Sequence, residues 1–425
     1  MRSNILNRYL HVNKKVTSNM LWLFFERVIQ VLIGILITGL FAHSLNTKGY
    51  GIYQYASSII SVVMSLTYIC GSEVIVPKLV TDRSSKTFSI LYNAFIIRFV
   101  FSFVIFIGLI IYLYYSKYPG ELKQLIGLWS LVLLVNEPFA VIRSWMESNT
   151  YIKPNVIIRI SSLFIKLLLV YLFYILSLSI IWIGVIFFME ALSMSVGQYL
   201  YFNSSFKQVR QYQIDREVVF TLIRSGVVFW VGIVFMFFFT KIDKIILREF
   251  VSYSDLGLYT AAMSFTDQLN AIAPILSVSF APLYIYKESN YAKATQNTLR
   301  IVAMLIVSSI LLSVSVALLS DLIVKFILGD AFVQSANILL HSVWVCIIVF
   351  ADSGFSLMLY RDRAYPFIIL KWAVAFFASG LVLLIWVSSI NVYAGILSVY
   401  VGYASSMLVS VYYIFIFRRP KQGYF

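Results

Sequence analysis

Runs of about 20 or more apolar residues recur from one end of this chain to the other, and no other feature restricts its fold as strongly. An α-helix needs about 20 apolar residues to cross roughly 30 Å of hydrocarbon. Inside hydrocarbon every backbone N–H and C=O must find its partner within the protein. The runs lack the strict alternation of an outer-membrane barrel strand, so they read as transmembrane helices. Of the 425 residues, 61% are hydrophobic and 12% charged. That is more apolar surface than one globular core can bury, so the excess must face lipid. The expected class is an all-α integral membrane protein.

Reading apolar runs between polar breaks gives about twelve spans, at roughly 18–43, 49–72, 88–115, 122–143, 155–176, 179–202, 218–240, 256–284, 298–320, 333–359, 366–389 and 391–417. With the N-terminus placed inside, the inner segments and tails carry 19 basic residues and the outer loops carry 6. Short loops with that bias place both termini in the cytoplasm. Topology therefore accounts for most of the net charge of +15, and a nucleic-acid partner is excluded. Eight basic residues remain within the spans: Arg27, Arg98, Arg159, Lys166, Arg224, Lys241, Arg300 and Lys371.

The chain also repeats itself. Gly51-Ile52-Tyr53 opens the second span and Gly257-Leu258-Tyr259 opens the eighth, 206 residues later. Pro154 precedes Arg159 by five residues, and Pro366 precedes Lys371 by the same step. Glu137 and Asp352 form a looser third pair. Two parallel six-helix repeats, pseudo-symmetric about an axis along the membrane normal, are expected. Residues 1–202 form the first lobe, 203–217 a basic cytoplasmic linker and 218–425 the second lobe.

A charge within the bilayer is expensive and usually faces protein or water. In the first span Asn19, Glu26, Gln30, Gly34 and Thr38 share one helical face, with Arg27 on its flank. In the second, Gln54, Ser58, Ser61, Ser65, Tyr68 and Ser72 form a polar stripe. Arg224 and Lys241-Ile242-Asp243-Lys244 lie in the seventh, Asp267 and Asn270 in the eighth. These faces imply a central cavity between the lobes with more cations than acids, suited to an anionic passenger. Arginine pairs bidentately with phosphate and stays charged. Buried carboxyls such as Glu26 or Asp267 are placed to take up a proton. Ion pairing between helices competes with these roles for each charge, and close packing competes for the serine stripe.

Catalytic chemistry is not expected. His11, His43 and His341 are scattered, and no metal site is anticipated. Cys70 and Cys346 lie within apolar runs and read as small hydrophobes. There is no phosphate-cradling glycine loop, no cofactor motif, and no external loop long enough for a catalytic domain.

Trp22, Phe25-Glu26-Arg27, Gly39-Leu40-Phe41-Ala42 and Gly49-Tyr50-Gly51-Ile52-Tyr53, followed by Lys241-Ile242-Asp243-Lys244-Ile245-Ile246-Leu247 and Leu256-Gly257-Leu258-Tyr259-Thr260-Ala261-Ala262, resemble bacterial O-antigen and polysaccharide flippases. These belong to the multidrug/oligosaccharidyl-lipid/polysaccharide (MOP) exporter superfamily. The resemblance implies a non-enzymatic, alternating-access transporter of the bacterial inner membrane. Its passenger would be an undecaprenyl-diphosphate-linked oligosaccharide, and H+ or Na+ its coupling cation. A polysaccharide polymerase and a chain-length regulator would be its partners, beside the membrane lipids. On this reading Arg27 and Arg224, with Arg159, Lys371, Gln30, Ser58 and Ser61, contact the diphosphate-sugar head. Glu26, Asp267, Asp243 and Asp352 are the candidates for ion coupling. A multidrug exporter of the same superfamily and a membrane polymerase or glycosyltransferase are the alternatives.

Overall fold

The computed structural model describes residues 2–81, 86–207 and 212–418, with side chains from Ser18 onward except those at 19, 20, 278 and 283. Four of the basic residues that set the expected orientation, Arg83, Arg210, Arg419 and Lys421, lie outside these, as do the side chains of Asn19, Arg2, Arg8, Lys14 and Lys15. Every regular element among the described residues is helical. In order they are α1 (Arg2–Thr67), α2 (Ser72–Thr81), α3 (Thr87–Tyr115), α4 (Gly120–Trp129), α5 (Val132–Ser148), α6 (Ile152–Ile175), α7 (Trp182–Ser205) and α8 (Arg216–Phe250). Then follow α9 (Tyr253–Asn270), α10 (Ala273–Ala281), α11 (Tyr291–Leu318), α12 (Ser320–Ile327), α13 (Ser335–Ser342), α14 (Val345–Arg361), α15 (Tyr365–Ile390) and α16 (Val392–Tyr412).

Sixteen helices make about twelve crossings because several spans are interrupted. A straight helix as long as α1 would run about 99 Å, three bilayers' worth. It turns instead at Asn46 (φ 52°, ψ −179°), a residue type that tolerates the left-handed region. The first two spans thus share one helical stretch. The second is longer than the sequence pattern indicates and is broken at 68–71, where Cys70 takes a φ of 57°. The eighth span is likewise split into α9 and α10, the fourth into α4 and α5, the tenth into α13 and α14.

These interruptions follow the repeat. The break between α4 and α5 recurs between α13 and α14. After α5, Thr150 adopts a φ of 57° and Tyr151 N–H donates to the Met146 carbonyl at 2.8 Å. After α14, Arg363 adopts 51° and Ala364 N–H donates to Leu359 at 2.9 Å. This is one helix-ending turn made twice. Pro154 and Pro366 each follow it within the next helical turn, where a missing N–H costs nothing. Ser177 (φ 47°) and Asn391 (φ 48°) repeat a third position.

The two halves meet most tightly at the end opposite the expected cytoplasmic face. There a Cβ on Gly51 would stand 1.9 Å from the Tyr253 carbonyl oxygen, and one on Gly257 the same distance from that of Thr47. Only glycine permits such backbone approach. The echo of Gly51-Ile52-Tyr53 in Gly257-Leu258-Tyr259 is therefore a reciprocal contact across the pseudo-symmetry axis. Near the other end Cys70 Sγ donates to the Leu222 carbonyl at 3.2 Å and Trp230 Nε1 to that of Leu66 at 3.1 Å. Large apolar side chains such as Phe24, Phe103, Leu168, Leu311 and Leu384 remain exposed around the bundle, as a lipid-facing surface requires.

Candidate functional site

Helices α8, α9, α10, α14, α15 and α16 enclose a cavity of about 440 Å³. Three lysines and three aspartates line it: Lys241, Lys244, Lys371, Asp243, Asp267 and Asp352. They do not behave alike. Lys371 Nζ donates to Asp352 Oδ1 at 3.0 Å, to Asp352 Oδ2 at 2.9 Å and to Ser356 Oγ at 2.6 Å. Asp352 further accepts from the Ser406 and Ser410 hydroxyls at 3.2 and 3.4 Å. The ammonium has used all three of its protons and each carboxylate oxygen has two donors. This pair is closed, and both residues are buried.

Lys244 Nζ donates to Asp267 Oδ2 at 3.2 Å; the lysine is buried and the aspartate side chain is 49% exposed. Asp243 Oδ2 accepts from the Tyr259 hydroxyl at 2.7 Å, while its Oδ1 is buried without a partner. Asn270 Oδ1 is likewise buried and unpartnered. Lys241 has no hydrogen bond or ion pair among the described residues, and its charged neighbours are Lys244, Asp267 and Asp243.

In the first half four of the expected residues form one chain of contacts. Arg159 Nε lies 2.9 Å from Glu26 Oε1. Gln30 Nε2 donates to the same oxygen at 2.9 Å, and Arg27 Nη1 donates to Gln30 Oε1 at 3.0 Å. Two guanidiniums thus share one carboxylate through an amide, leaving an excess positive charge. The Arg27 Nε is buried and unpartnered. Gln30 contributes both halves of its amide, which is why it sits between an acid and a base.

Ser58 and Ser61 are satisfied within their own helix, donating to the Gln54 and Ser57 carbonyls at 2.8 and 2.7 Å. Ser58 is buried, whereas Ser61 lines a smaller pocket of about 280 Å³ with Trp129, Asn136 and Glu190. Tyr68 and Ser72, the last members of the stripe, fall at the break after Thr67 and no longer continue its face. Arg224 is exposed on α8 with Phe220, Val227 and Val228, and forms no hydrogen bond or ion pair among the described residues. The face carrying Leu222 and Gly226 toward Cys70 is on the other side of the helix. Among the described residues nothing joins Arg224 to Arg27.

Two charge pairs escaped the sequence reading, which left Arg98 and Lys166 without a role. Arg98 is fully buried; it donates through Nε and Nη2 to the Cys70 carbonyl at 3.1 and 2.8 Å and through Nη1 to that of Glu137 at 3.0 Å. The Glu137 carboxylate lies 3.6 Å away. Lys166 pairs with Glu190 at 2.9 Å, above the Phe187 ring. The available signal was Glu137 and Asp352 at matching places in the repeat: each holds a buried cation, but from a different helix. Among the described residues no three His, Cys, Asp or Glu side chains gather as a metal site.

A family model described as a polysaccharide biosynthesis protein matches residues 16–284. No curated protein matches the sequence. Solved structures share the fold. Lipid II flippase MurJ in an inward closed conformation matches with a TM-score of 0.72 at 11% identity, over 93% of this chain and 87% of that one. An inward-facing multidrug resistance MATE family transporter of the MOP superfamily matches with a TM-score of 0.69 at 12% identity, over 92% and 93%. A third, a MOP superfamily transporter from Pyrococcus furiosus described as having a binding pocket of reverse polarity, matches with a TM-score of 0.56 at 12% identity, over 94% of this chain and 93% of that one.

Proposed function

Since the chain belongs to the polysaccharide biosynthesis protein family and shares the fold of MOP superfamily transporters, we propose that it is a flippase for an undecaprenyl-diphosphate-linked oligosaccharide. The passenger is an O-antigen or other surface-polysaccharide repeat unit, moved from the cytoplasmic to the periplasmic leaflet of the bacterial inner membrane by alternating access. Lobes 1–202 and 218–425 move about the linker 203–217, with both termini in the cytoplasm. The protein performs no bond chemistry on its passenger.

The observation that carries this reading is the Arg159–Glu26–Gln30–Arg27 chain, with two cations to one acid and a guanidinium nitrogen unpartnered. An arriving diphosphate supplies the acceptors that Arg27 lacks. Arg224, exposed and unpaired, is the second candidate for the anionic head. Coupling to H+ or Na+ works through the acid partners. Protonation of Glu26 releases Arg159 toward the passenger, and protonation of Asp352 releases Lys371 in the same way. Asp267 and Asp243 complete the candidate set. A polymerase and a chain-length regulator receive the delivered unit.

The test is the sidedness of lipid-linked oligosaccharide after depletion of the protein, probed in spheroplasts with a membrane-impermeant sugar-modifying reagent. Accumulated units that stay shielded support the flippase. Units that accumulate exposed on the outer face show translocation to be intact and sink the reading.

A further inference from the structure

The cavity among α8, α9, α10, α14, α15 and α16 holds unsatisfied groups of both polarities. Lys241 lines it with an ammonium that has no hydrogen bond or ion pair among the described residues, and Asp243 and Asn270 each present a buried oxygen with no donor. A metal cation would satisfy the oxygens but meet the charges of Lys241 and Lys244. A bare phosphate would satisfy Lys241, but its oxygens chiefly accept and would leave the Asp243 and Asn270 oxygens without donors. A polyhydroxylated ligand both donates and accepts at each hydroxyl, and so can meet all three orphan groups. The walls suit the same chemistry: Phe239, Trp372 and Tyr403 supply flat apolar surface beside the polar groups. About 440 Å³ falls within the range of small-molecule sites, about 300–1,000 Å³.

We propose that this cavity is a saccharide-binding chamber, and that Lys241 makes it favour a sugar bearing a carboxylate. The proposal rests on the flippase reading for its passenger: the chamber receives one sugar residue of the lipid-linked unit, away from the Arg27 network that faces its diphosphate. Asp243 and Asn270 accept from ring hydroxyls, and Lys241 donates to the carboxylate. Lys371 and Asp352, closed upon each other while Asp352 is ionised, shape the floor. The chamber thereby sets which repeat units the protein carries.

Full-length protein in nanodiscs is titrated with methyl β-D-glucuronoside and with methyl β-D-glucoside, and saturable binding is read by saturation-transfer-difference NMR. The wild type is expected to bind both and to prefer the glucuronoside. Lys241→Gln lowers glucuronoside affinity about tenfold, the worth of one charge-assisted hydrogen bond, and lowers glucoside affinity several times less. Asn270→Leu weakens both probes. Retained glucoside binding by Lys241→Gln is the internal control for folding. Absence of saturable binding by the wild type means a chamber filled by water alone and overturns the proposal, as does equal glucuronoside affinity in Lys241→Gln. A flippase phenotype on depletion combined with either of these results removes the chamber alone. The expected probe binding without that phenotype keeps the chamber as a sugar site and removes the passenger assigned to it.

Discussion

The sequence offers Lys371 as a head-group contact and Asp352 as an ion-coupling acid, two separate roles. Nineteen residues and a helix turn separate them in sequence, so no spacing rule could show that each completes the other. Only packing α15 and α16 against α14 brings the ammonium, the carboxylate and three serine hydroxyls together. By contrast Glu26, Arg27 and Gln30 were legible as a group, because Gln30 stands i+4 from Glu26 and i+3 from Arg27, spacings that stay neighbours on any helix. A buried pair broken on one side leaves an uncompensated charge, whereas removing both sides can be neutral. Lys371→Met should therefore destabilise the protein by about 3–5 kcal/mol, seen as a large fall in thermal unfolding temperature in nanodiscs. The double variant Lys371→Met with Asp352→Leu should recover most of that loss. If the double variant melts as low as the single one, the pair is not the closed unit its geometry describes.

At the scale of elements, span number and order were legible because hydropathy reports them directly. The breaks at 130–131, 271–272 and 343–344 were not, because the apolar runs continue through them, and the one at 68–71 falls at the edge of the expected second span, which gives no sign of the continuation into α2. What tolerates a break is a partner for the freed carbonyls, and that partner comes from another helix. Arg98 fills this role at 68–71, with two nitrogens on the Cys70 carbonyl and a third on that of Glu137. A lysine ammonium cannot span both in that planar arrangement. Arg98→Lys should keep the charge opposite Glu137 yet cost about 1–3 kcal/mol, the penalty for a buried acceptor left unpaired; an unchanged melting temperature would count against the staple. Gly51 and Gly257 belong to the same scale. An alanine at either meets a carbonyl oxygen 1.9 Å from its Cβ, so the helices must separate at the end remote from the linker. In Gly51→Ala, a reporter Ser264→Cys should react severalfold faster with a membrane-impermeant maleimide applied outside intact cells. The buried native cysteines Cys70 and Cys346 provide the background. An unchanged labelling rate would show that this contact does not hold the outer end closed.

Across the whole molecule, the two halves touch through different chemistry at their two ends, and that difference determines where an alternating transporter can open. At the expected periplasmic end the seam is backbone against backbone at the glycines, with Tyr55 and Tyr253 meeting edge to face, ring centroids 6.3 Å apart. Beside it the Tyr55, Tyr118 and Tyr112 hydroxyls link in sequence at 3.1 and 3.2 Å, all within the first half. They brace their own lobe and do not cross to the other, so the seam can part without dismantling either half. At the linker end Asn93 joins α3 to the start of α8, donating to the Gln213 carbonyl at 3.2 Å and accepting from Asp215 N–H at 3.0 Å. That joint ties the first half, through main-chain atoms, to the segment leading into α8, and suits a pivot that survives the cycle. A tether across the seam should therefore stop transport while leaving both lobes folded. With Tyr55→Cys and Tyr253→Cys combined, a short bifunctional thiol reagent added from outside should abolish delivery of lipid-linked oligosaccharide to the outer face. A reducible version of the reagent should allow delivery to resume on reduction. Either single-cysteine variant should transport normally in the same reagent. Full delivery through a cross-linked seam would mean that the passenger crosses without the lobes separating there, and the alternating-access account would have to give way to a fixed path along the outside of the bundle.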